Sequence, residues 1–426
     1  MKGGHDAPPP PAAKALTIFT DLSVAGPTGA AGSVAQQQAI ENGARLALEQ
    51  WGHRVRYGRK GHRGSFYIHL APMDDADPAS GGWSQGATAS NAGQAAATKD
   101  AVAYIGDFES AATALALPEL SASGILQVSP WSPYVGFTDA YPADGKGDPQ
   151  RYYPPNGASS FARVIPSDLT EANAILDYMS SLGLSRLYVL GDVSVFDAAI
   201  AEAVANDAPY HGITVVDFTA GIDTQTNTQP RGYAQIAAGV AAQRPDAILL
   251  GGTPGVGAVA LWRELHAMVP HAKLFAPSTL ATPEFLTAIA PPGGRCTMPS
   301  GVAGECASPA GSTYVTSPIL LARQYPPAAR RVLAAYSRRF GARPSVYALY
   351  GYAAMEVVLD AIQRTGRYST VHNDLLGVFF HHLGVIHGVL GNYTINGHGD
   401  SSLASFDGYR VTASGSLSFD REIFAG

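Results

Sequence analysis

The segment Val102–Asp139 restricts the possible folds more than any other part of the chain. It predicts a short buried strand (Val102–Gly106), a helix that opens around Ser110, and a second short strand (Ile125–Ser129), with a polar loop after each strand. Parallel strands joined by a helix end at the same edge of an open α/β sheet, and such sheets bind ligands at that edge. Free N–H groups at the start of the helix attract an anion such as a carboxylate. The segment therefore predicts a small-molecule site, and nothing in it indicates a catalyst.

Strand-like and helix-like stretches alternate along most of the chain, as they do in parallel sheets. The loop-rich stretch Tyr141–Ser160 divides this alternation into two sets, and 426 residues exceed what one hydrophobic core usually spans. Both observations favour two domains. Turn sequences separate Gly388–Tyr393, Leu403–Val411 and Ser416–Phe419, which predicts antiparallel hairpins at the end of the chain. The other predicted strands are Leu16–Asp21, Phe66–Met73, Leu187–Gly191, Thr214–Thr219, Ala247–Gly251 and Lys273–Ala276.

The net charge of −6 argues against a nucleic-acid partner, because phosphate binding needs a concentrated basic surface. Arg54, Arg56, Arg59 and Arg63 are interleaved with His, Gly and Tyr, which predicts a solvated turn.

The chain contains no run of about 18 apolar residues, so the sequence predicts no membrane-spanning segment. The first residues, MKGGHDAPPPPAAK, lack an apolar signal region and predict an extended linker. We interpret this as an exported protein whose signal was removed, although a cytoplasmic N-terminus would look much the same.

Cys296 and Cys306 are the only cysteines of the chain, and they lie in a segment rich in glycine and proline. A metal site would need two more ligands nearby, and the segment has none. His382 and His387 lie outside the i, i+4 spacing of helical metal ligands. We therefore predict no metal site and a local disulfide, which favours an oxidising compartment.

Two short patterns allow an enzymatic interpretation. Ser84 in GWSQG matches the nucleophile elbow of hydrolases, but a polar loop separates it from the strand that ends near Met73. The sequence Gly255-Val256-Gly257 lies between a strand and a helix, as in dinucleotide-binding sites, but no acidic residue closes the strand that follows. Small residues that let a helix pack close to a sheet explain these glycines better.

Longer motifs follow one another in a specific order. The chain carries GPTGAAG…ENGARLALE, then YIGDFES…LPELSASGILQVSP…YVGFTD, and then SRLYVLGDVSVFDAAIAEAV. RPDAILLGGTPGVGAVALWREL and VLAAYSRRFGARPSVYALYGYAAMEVVLDAI come after them. In this order, the motifs resemble the branched-chain amino-acid-type substrate-binding proteins of bacterial ABC importers. The resemblance covers the chain from about Ala15 onward.

This resemblance implies an α/β fold of two Rossmann-like lobes with mostly parallel sheets, joined by three hinge crossovers. The implied division is an N-terminal linker (1–14), an N-terminal lobe (15–163 plus 319–385) and a C-terminal lobe (164–318 plus 386–426). In this family the ligand lies between two lobes that close on it like a hinged clamp.

The resemblance also assigns candidate ligand-binding residues in the first lobe. Ser110 would supply a hydroxyl donor after the third strand of the lobe. Trp131 and Ser132 lie in the loop that usually holds the α-carboxylate of the ligand. The next position, commonly Thr in the family, is Pro133, which lacks both a hydroxyl and an N–H group.

In the second lobe, the resemblance implies that Phe196 and the loop around Thr253 contact the ligand. The family often has an acidic residue near Ser278 that binds the ammonium group of the ligand, and no carboxylate is present there. Glu109 and Asp107 are nearby acids that could replace it. Because the usual ammonium acceptor is missing, we expect a small carboxylate with an apolar or aromatic body, with an amino acid as the alternative.

The implied function is that of a solute-binding protein without catalysis or cofactor. As an exported monomer, periplasmic or extracellular and tethered to the membrane, it would deliver its ligand to the permease of an ABC importer. Two alternatives are a ligand-sensing regulatory module of the same fold and an α/β hydrolase that uses Ser84. The sequence contains no coherent nucleophile–base set to support the hydrolase.

Overall fold

The structure, a computed structural model, describes residues 14–26, 33–58, 63–140, 148–155, 157, 159–226, 228, 232–343 and 345–426. These residues form two α/β lobes, each built on its own sheet. The linker predicted over residues 1–14 lies outside the described residues, except for Lys14, which begins the first strand.

The first lobe contains a six-stranded sheet. Its strands are β1 (Lys14–Asp21), β2 (Arg54–Tyr57), β3 (Gly64–Met73), β4 (Ala101–Ile105), β5 (Leu126–Ser129) and β6 (Phe161–Arg163). Their order is β2-β3-β1-β4-β5-β6, and only the edge pair β2–β3 is antiparallel. The parallel strands therefore all end at one edge of the sheet.

The second lobe contains a seven-stranded sheet with the order β17-β16-β13-β10-β9-β7-β8. Its strands are β7 (Arg186–Asp192), β8 (Thr214–Ile222), β9 (Ala247–Gly251), β10 (Lys273–Ala276), β13 (Thr313–Ser317), β16 (Ser405–Val411) and β17 (Leu417–Phe424). The first five are parallel, whereas β16 and β17 form an antiparallel hairpin at one edge. Two further hairpins lie outside the sheets: β11 (Arg295–Thr297) with β12 (Ala303–Glu305), and β14 (Ile386–Gly388) with β15 (Gly391–Tyr393).

Helices cover both faces of both sheets. They are α1 (Ser33–Gln50), α2 (Gln85–Ala97), α3 (Ser110–Ala122), α4 (Asp168–Ser181), α5 (Val195–Asp207), α6 (Tyr233–Ala242), α7 (Val256–Met268), α8 (Pro283–Ile289), α9 (Pro327–Phe340), α10 (Tyr347–Thr365) and α11 (His372–His382). In the first lobe, α1 and α9–α11 pack on one face of the sheet, and α2 and α3 pack on the other. In the second lobe, α4 and α5 face α6–α8 across the sheet. The predicted fold class is thus confirmed. None of the described helices is long and apolar enough to cross a lipid bilayer.

The eight strands predicted from βα alternation are all present, and their bounds differ by three residues at most. The sequence analysis was wrong about Arg54 and Arg56, which lie in the edge strand β2 and not in a turn. Val55 between them is fully buried. A four-residue strand with one buried side chain gives too short an alternation for sequence reasoning to detect.

The chain crosses between the lobes three times. The first crossing follows β6 and the second follows β13. The resemblance implied a third crossing near Ile386, but Val389, Tyr393 and Ile395 pack in the core of the first lobe. We therefore propose that residues 386–395 belong to the first lobe and that the third crossing lies between Ile395 and β16.

Arg163, at the end of β6, ties the first and third crossings together. Its guanidinium is fully buried and donates hydrogen bonds to the carbonyl oxygens of Ser132 (2.9 Å) and Tyr134 (3.0 Å). It also forms an ion pair with Asp400, with 2.9 Å between Nε and Oδ1. A buried charge is tolerated only when it is paired and hydrogen-bonded in this way. The loop that follows β5 is thus anchored to the same side chain as the third crossing.

Two glycines allow α1 and α10 to pack at very short range. A Cβ atom on Gly351 would overlap the carbonyl oxygen of Ile40, and one on Gly43 would overlap that of Ala348. Only glycine permits backbones to approach this closely. The contact joins the N-terminal part of the chain to a helix about 300 residues later.

We expect Gly351→Ala to lower the free energy of unfolding by at least about 2 kcal/mol, because the new methyl group forces the two helices apart. The matched control is Gly239→Ala in α6, where a Cβ atom meets nothing within 4 Å. There, alanine should stabilise the helix by about 0.5–1 kcal/mol. Urea unfolding of both variants tests the prediction, and equal stability of the two variants would contradict it.

The predicted disulfide between Cys296 and Cys306 is present and closes the β11–β12 hairpin. Both cysteines are almost completely buried. The hairpin packs against α7, where Glu264 accepts a hydrogen bond from the backbone N–H of Thr297 (3.0 Å).

We expect the Cys296→Ser, Cys306→Ser double variant to lose about 2–3 kcal/mol of unfolding free energy, because the crosslink restricts the unfolded chain. Denaturant unfolding should show this loss in the oxidised protein and none after reduction. Two titratable thiols in the native, unreduced protein would refute the disulfide.

Candidate ligand-binding cleft

A cavity of about 880 Å³ lies between the two lobes. The loops after β4 and β5 line it from the first lobe, and the loops after β7, β9 and β10 line it from the second lobe. This is the carboxyl edge of both parallel sheets, where α/β folds bind ligands. The structure brings six of the eight candidate residues to its wall: Glu109, Ser110, Trp131, Phe196, Thr253 and Ser278.

Aromatic side chains form the wall of the cleft on the first lobe. Trp131 stacks on Phe108, with 5.4 Å between ring centroids and 8° between planes, and it contacts Tyr347 at 5.3 Å. Sequence reasoning missed both neighbours. Phe108 lies in the analysed loop and could have been found by its position. Tyr347 comes from the start of α10 and no local pattern indicates it.

Phe196 in the second lobe has a different environment. It makes an edge-to-face contact with Tyr134 of the first lobe at 5.0 Å, and it lies near Phe137 at 6.4 Å. Part of this ring therefore packs across the seam between the lobes, and the rest lines the cleft.

The loop after β5 uses its backbone N–H groups internally. Ser129 Oγ accepts hydrogen bonds from the N–H groups of Trp131 (3.1 Å) and Ser132 (2.8 Å). Ser132 itself is fully buried behind the cleft, where its hydroxyl contacts Thr113 Oγ1 and the carbonyl oxygen of Asp107. Ser132 is thus not among the residues that line the cavity. With Pro133 next in sequence, this loop leaves no free N–H group between residues 131 and 133 for a ligand carboxylate.

In the second lobe, the candidate donors Ser278 and Thr253 already donate hydrogen bonds to carboxylates of the protein. The N–H and hydroxyl groups of Ser278 both donate to Glu171, at 2.7 and 2.6 Å. The Thr253 hydroxyl donates to Asp197 Oδ2 at 2.8 Å, and the Thr253 N–H donates to Asp192. These two residues line the cleft, but their donors point to protein carboxylates.

Asp107 is likewise absent from the cavity lining. It is fully buried below the cleft and belongs to a cluster with Asp21 and Asp75, in which ligand-type oxygens lie within 4.8 Å of one another. Burial raises the pKa of Asp107 well above its ordinary value, and the charges of Asp21 and Asp75 raise it further. Burial, with Asp75, raises the pKa of Asp21 to about 7.

Such a cluster could hold a cation, but its oxygens already accept hydrogen bonds from neighbouring side chains. The donors are Asn91 and Tyr104 on Asp21, Ser23 and Thr88 on Asp75, and Gln127 on Asp107. The arrangement fits partly protonated acids that share hydrogen bonds.

Glu109 precedes α3 and lines the cleft. Its Oε1 accepts a long hydrogen bond from Gln37 (3.4 Å), and its buried Oε2 has no partner among the described residues. Burial raises the pKa of Glu109 to about 8, with a further contribution from Asp75. Thr279 Oγ1 is a second buried atom without a partner among these residues, and Thr279 also lines the cleft.

The charged side chains of the lining are all acidic. They are Glu109, Asp197 and Glu284, and no Lys, Arg or His occurs among the described lining residues. Each acid lies at the start of a helix: Glu109 before α3, Asp197 in the first turn of α5 and Glu284 in that of α8. Burial raises the pKa of Asp197, while the Thr253 and Ser194 hydroxyls act in the opposite direction.

The two motifs that allowed an enzymatic interpretation do not have the geometry that their chemistry requires. Ser84 immediately precedes α2, eleven residues after the end of β3, and not on a tight strand-to-helix turn. Gly255 and Gly257 lie where a Cβ atom would meet the backbone of residues 223–226, so close packing accounts for them.

The sequence profile of the periplasmic binding proteins matches residues 24–374, which is most of the chain. The chain therefore belongs to the periplasmic binding protein family, and this membership implies an exported protein. No curated protein sequence gives a significant match.

Solved structures with the same fold include several substrate-binding proteins of ABC transporters. The leucine-binding protein LivK of Thermotoga maritima is 19% identical, with a TM-score of 0.66 over 96% of this chain and 99% of that one. A solute-binding protein of R. palustris in complex with benzoate is 14% identical, with a TM-score of 0.63 over 95% of each chain. One from Rhodopseudomonas palustris HaA2, with p-hydroxybenzoic acid, is 11% identical, with a TM-score of 0.66 over 96% of each chain.

The acid cluster below the cleft predicts a specific pH dependence of stability. Because the pKa of Asp21 is about 7 in the folded protein and near its ordinary 3.8 in the unfolded chain, the folded state binds its proton more tightly. The unfolding free energy should therefore fall as the pH rises from about 4 to about 7, and then level off.

We expect Asp21→Asn to flatten this decline, because asparagine has no proton to lose. The control is Asp139→Asn, which removes an exposed carboxyl of the same lobe. Urea unfolding across this pH range gives the slopes. If the Asp21→Asn slope equals that of the wild type, the proposed protonation of the cluster is wrong.

Proposed function

We propose that this protein captures a small organic solute, an amino acid or a related carboxylate or amine, between its two lobes. It would then deliver the solute to the permease of an ABC importer. The observation that carries the proposal is the 880 Å³ cleft, which both lobes line at the carboxyl ends of their parallel strands. Membership of the periplasmic binding protein family supports the same function.

The composition of the cleft fits a site that binds a small molecule. Six aromatic side chains provide apolar contact area, and uncharged hydroxyl and amide groups of Ser, Thr and Gln are spaced between them. Pockets for small ligands combine a mostly apolar wall with a few polar groups in this manner. The six aromatic residues are Trp83, Phe108, Trp131, Phe196, Phe285 and Tyr347.

We also propose a cellular location and an oligomeric state for the protein. We expect an exported monomer, in the periplasm or tethered at the outer face of the membrane, where a permease can receive the ligand. The two-lobe arrangement supports a clamp, because three crossings join the lobes and each lobe has its own core.

A ligand screen tests the proposal. Thermal shifts should identify binders among amino acids, aromatic and aliphatic carboxylates, and amines, since a ligand stabilises the state that it binds. For the best binder, Trp131→Ala should weaken binding at least about tenfold, because a lost stacking partner and its contact area cost more than about 1.4 kcal/mol. Isothermal titration well below the melting temperature measures this change.

Trp131 is 7% exposed and belongs to the core, so its loss should also cost stability. Trp51→Ala is the matched control, because Trp51 packs on the same core and does not line the cleft. It should reduce stability and leave affinity unchanged. Equal weakening by both variants would mean that Trp131 acts only through stability, and the absence of any binder would contradict the proposed function.

A further inference from the structure

Resting on the proposed function, the structure allows the ligand class to be narrowed. We infer that the cleft selects a solute with a net positive charge, an amine with an apolar body, and that Glu109 and Asp197 hold this charge from the two lobes. This inference replaces the carboxylate expected from the sequence.

The distribution of charged side chains around the cleft favours a positively charged solute. The described lining contains three carboxyl groups and no basic side chain. Further acids lie just behind this lining, Asp75 and Asp107 in the first lobe and Glu171 and Asp192 in the second. The nearby basic group, Arg163, is paired with Asp400. A cleft bordered by one sign of charge attracts solutes of the opposite sign.

Most of the donors that the family resemblance assigns to a ligand carboxylate are engaged elsewhere. The N–H groups of Trp131 and Ser132 bond to Ser129, and the donors of Ser278 and Thr253 bond to protein carboxylates. Among the helices that line the cleft, α3, α5 and α8 each have an acidic residue of their own at the N-terminus, where an anion would otherwise bind. An anionic ligand would compete with these residues.

The cleft offers an amine a hydrogen-bond acceptor and aromatic faces. Glu109 Oε2 is buried without a partner among the described residues, so a charged N–H donor would satisfy it. The neighbouring rings of Phe108 and Trp131 offer π faces, which attract cations. Asp197 faces the same cavity beside Phe196, with Ser194, Thr253 and Asp192 as its polar and charged neighbours.

Closure of the lobes would favour a cation. Glu109 belongs to the first lobe and Asp197 to the second, so a closed clamp brings acids from both sides toward one ligand. Without a positive charge between them, closing would increase repulsion or retain protons on the acids. Since burial raises the pKa of Glu109 to about 8, with Asp75 and Gln37 as its neighbours, this residue carries a proton near neutral pH when the cleft is empty. A bound cation should displace it.

The test uses three probes with the same apolar body and different charges: isopentylamine, leucine and 4-methylpentanoate. Calorimetric titration should give affinities in the order amine, amino acid, carboxylate, with each step about tenfold or more. Titrations near neutral pH in two buffers of different ionisation enthalpy should show that the amine releases about half a proton or more.

Variants assign the effect to residues. Glu109→Gln and Asp197→Asn should each weaken isopentylamine binding about tenfold or more, and Glu109→Gln should abolish the proton release. Glu119→Gln is the control, because Glu119 is an exposed acid on the same helix and outside the cleft. Melting temperatures show whether each variant folds, and the amide forms keep the shape of the side chains they replace.

The outcomes separate this inference from the proposed function. If 4-methylpentanoate or leucine binds more tightly than the amine, the inference is wrong and the binding function stands. If Glu109→Gln keeps amine affinity or binding takes up a proton, the assignment of Glu109 is wrong. If none of the three probes binds, the inference is overturned, while the proposed function fails only when the wider solute screen also finds no ligand.

Discussion

The arrangement of the two lobes depends on the hydrogen bonds and the ion pair that the buried guanidinium of Arg163 makes. It lies at the end of the last strand of the first sheet, binds two carbonyl oxygens of the cleft loop after β5, and pairs with Asp400 in the third crossing. Breaking a buried ion pair costs several kcal/mol because one charge remains unpaired, of the order of 3–5 kcal/mol. The loop that carries Trp131 is therefore tied to the segment that leads into β16.

The same edge of the first sheet concentrates carboxyl groups. Asp21 ends β1, Asp75 follows β3, and Asp107 and Glu109 follow β4, and parallel pairing brings the ends of these strands together. Burial and mutual repulsion raise the pKa values of these acids, so protons and hydrogen bonds stabilise the edge in place of cations. The carboxyl ends of these strands therefore place a group of partly protonated acids next to the cleft.

Sequence reasoning located the site better than it assigned individual contacts. Glu109, Ser110, Trp131, Phe196, Thr253 and Ser278 line the cleft because each follows a strand whose end could be read from βα alternation. Ser132 and Asp107 lie in the predicted loops, but their side chains are buried behind the cleft. Loop position follows from the strand pattern, whereas side-chain direction depends on the backbone path within the loop. Tyr347 was missed since its helix reaches the cleft only through packing of α10 on α1.

The sequence by itself determined the α/β class, most parallel strands of both sheets, the Cys296–Cys306 pairing and the membership of a binding-protein family. These features depend on local periodicity, on short separations along the chain and on ordered motifs, all of which are written in the sequence. Only the tertiary structure decided the burial of Arg163 and the acidic character of the cleft. Those features arise from residues far apart in the chain: Arg163 pairs with Asp400, and Glu109 and Asp197 line the same cavity. Charge and burial are properties of the assembled surface, so no local pattern could have revealed them.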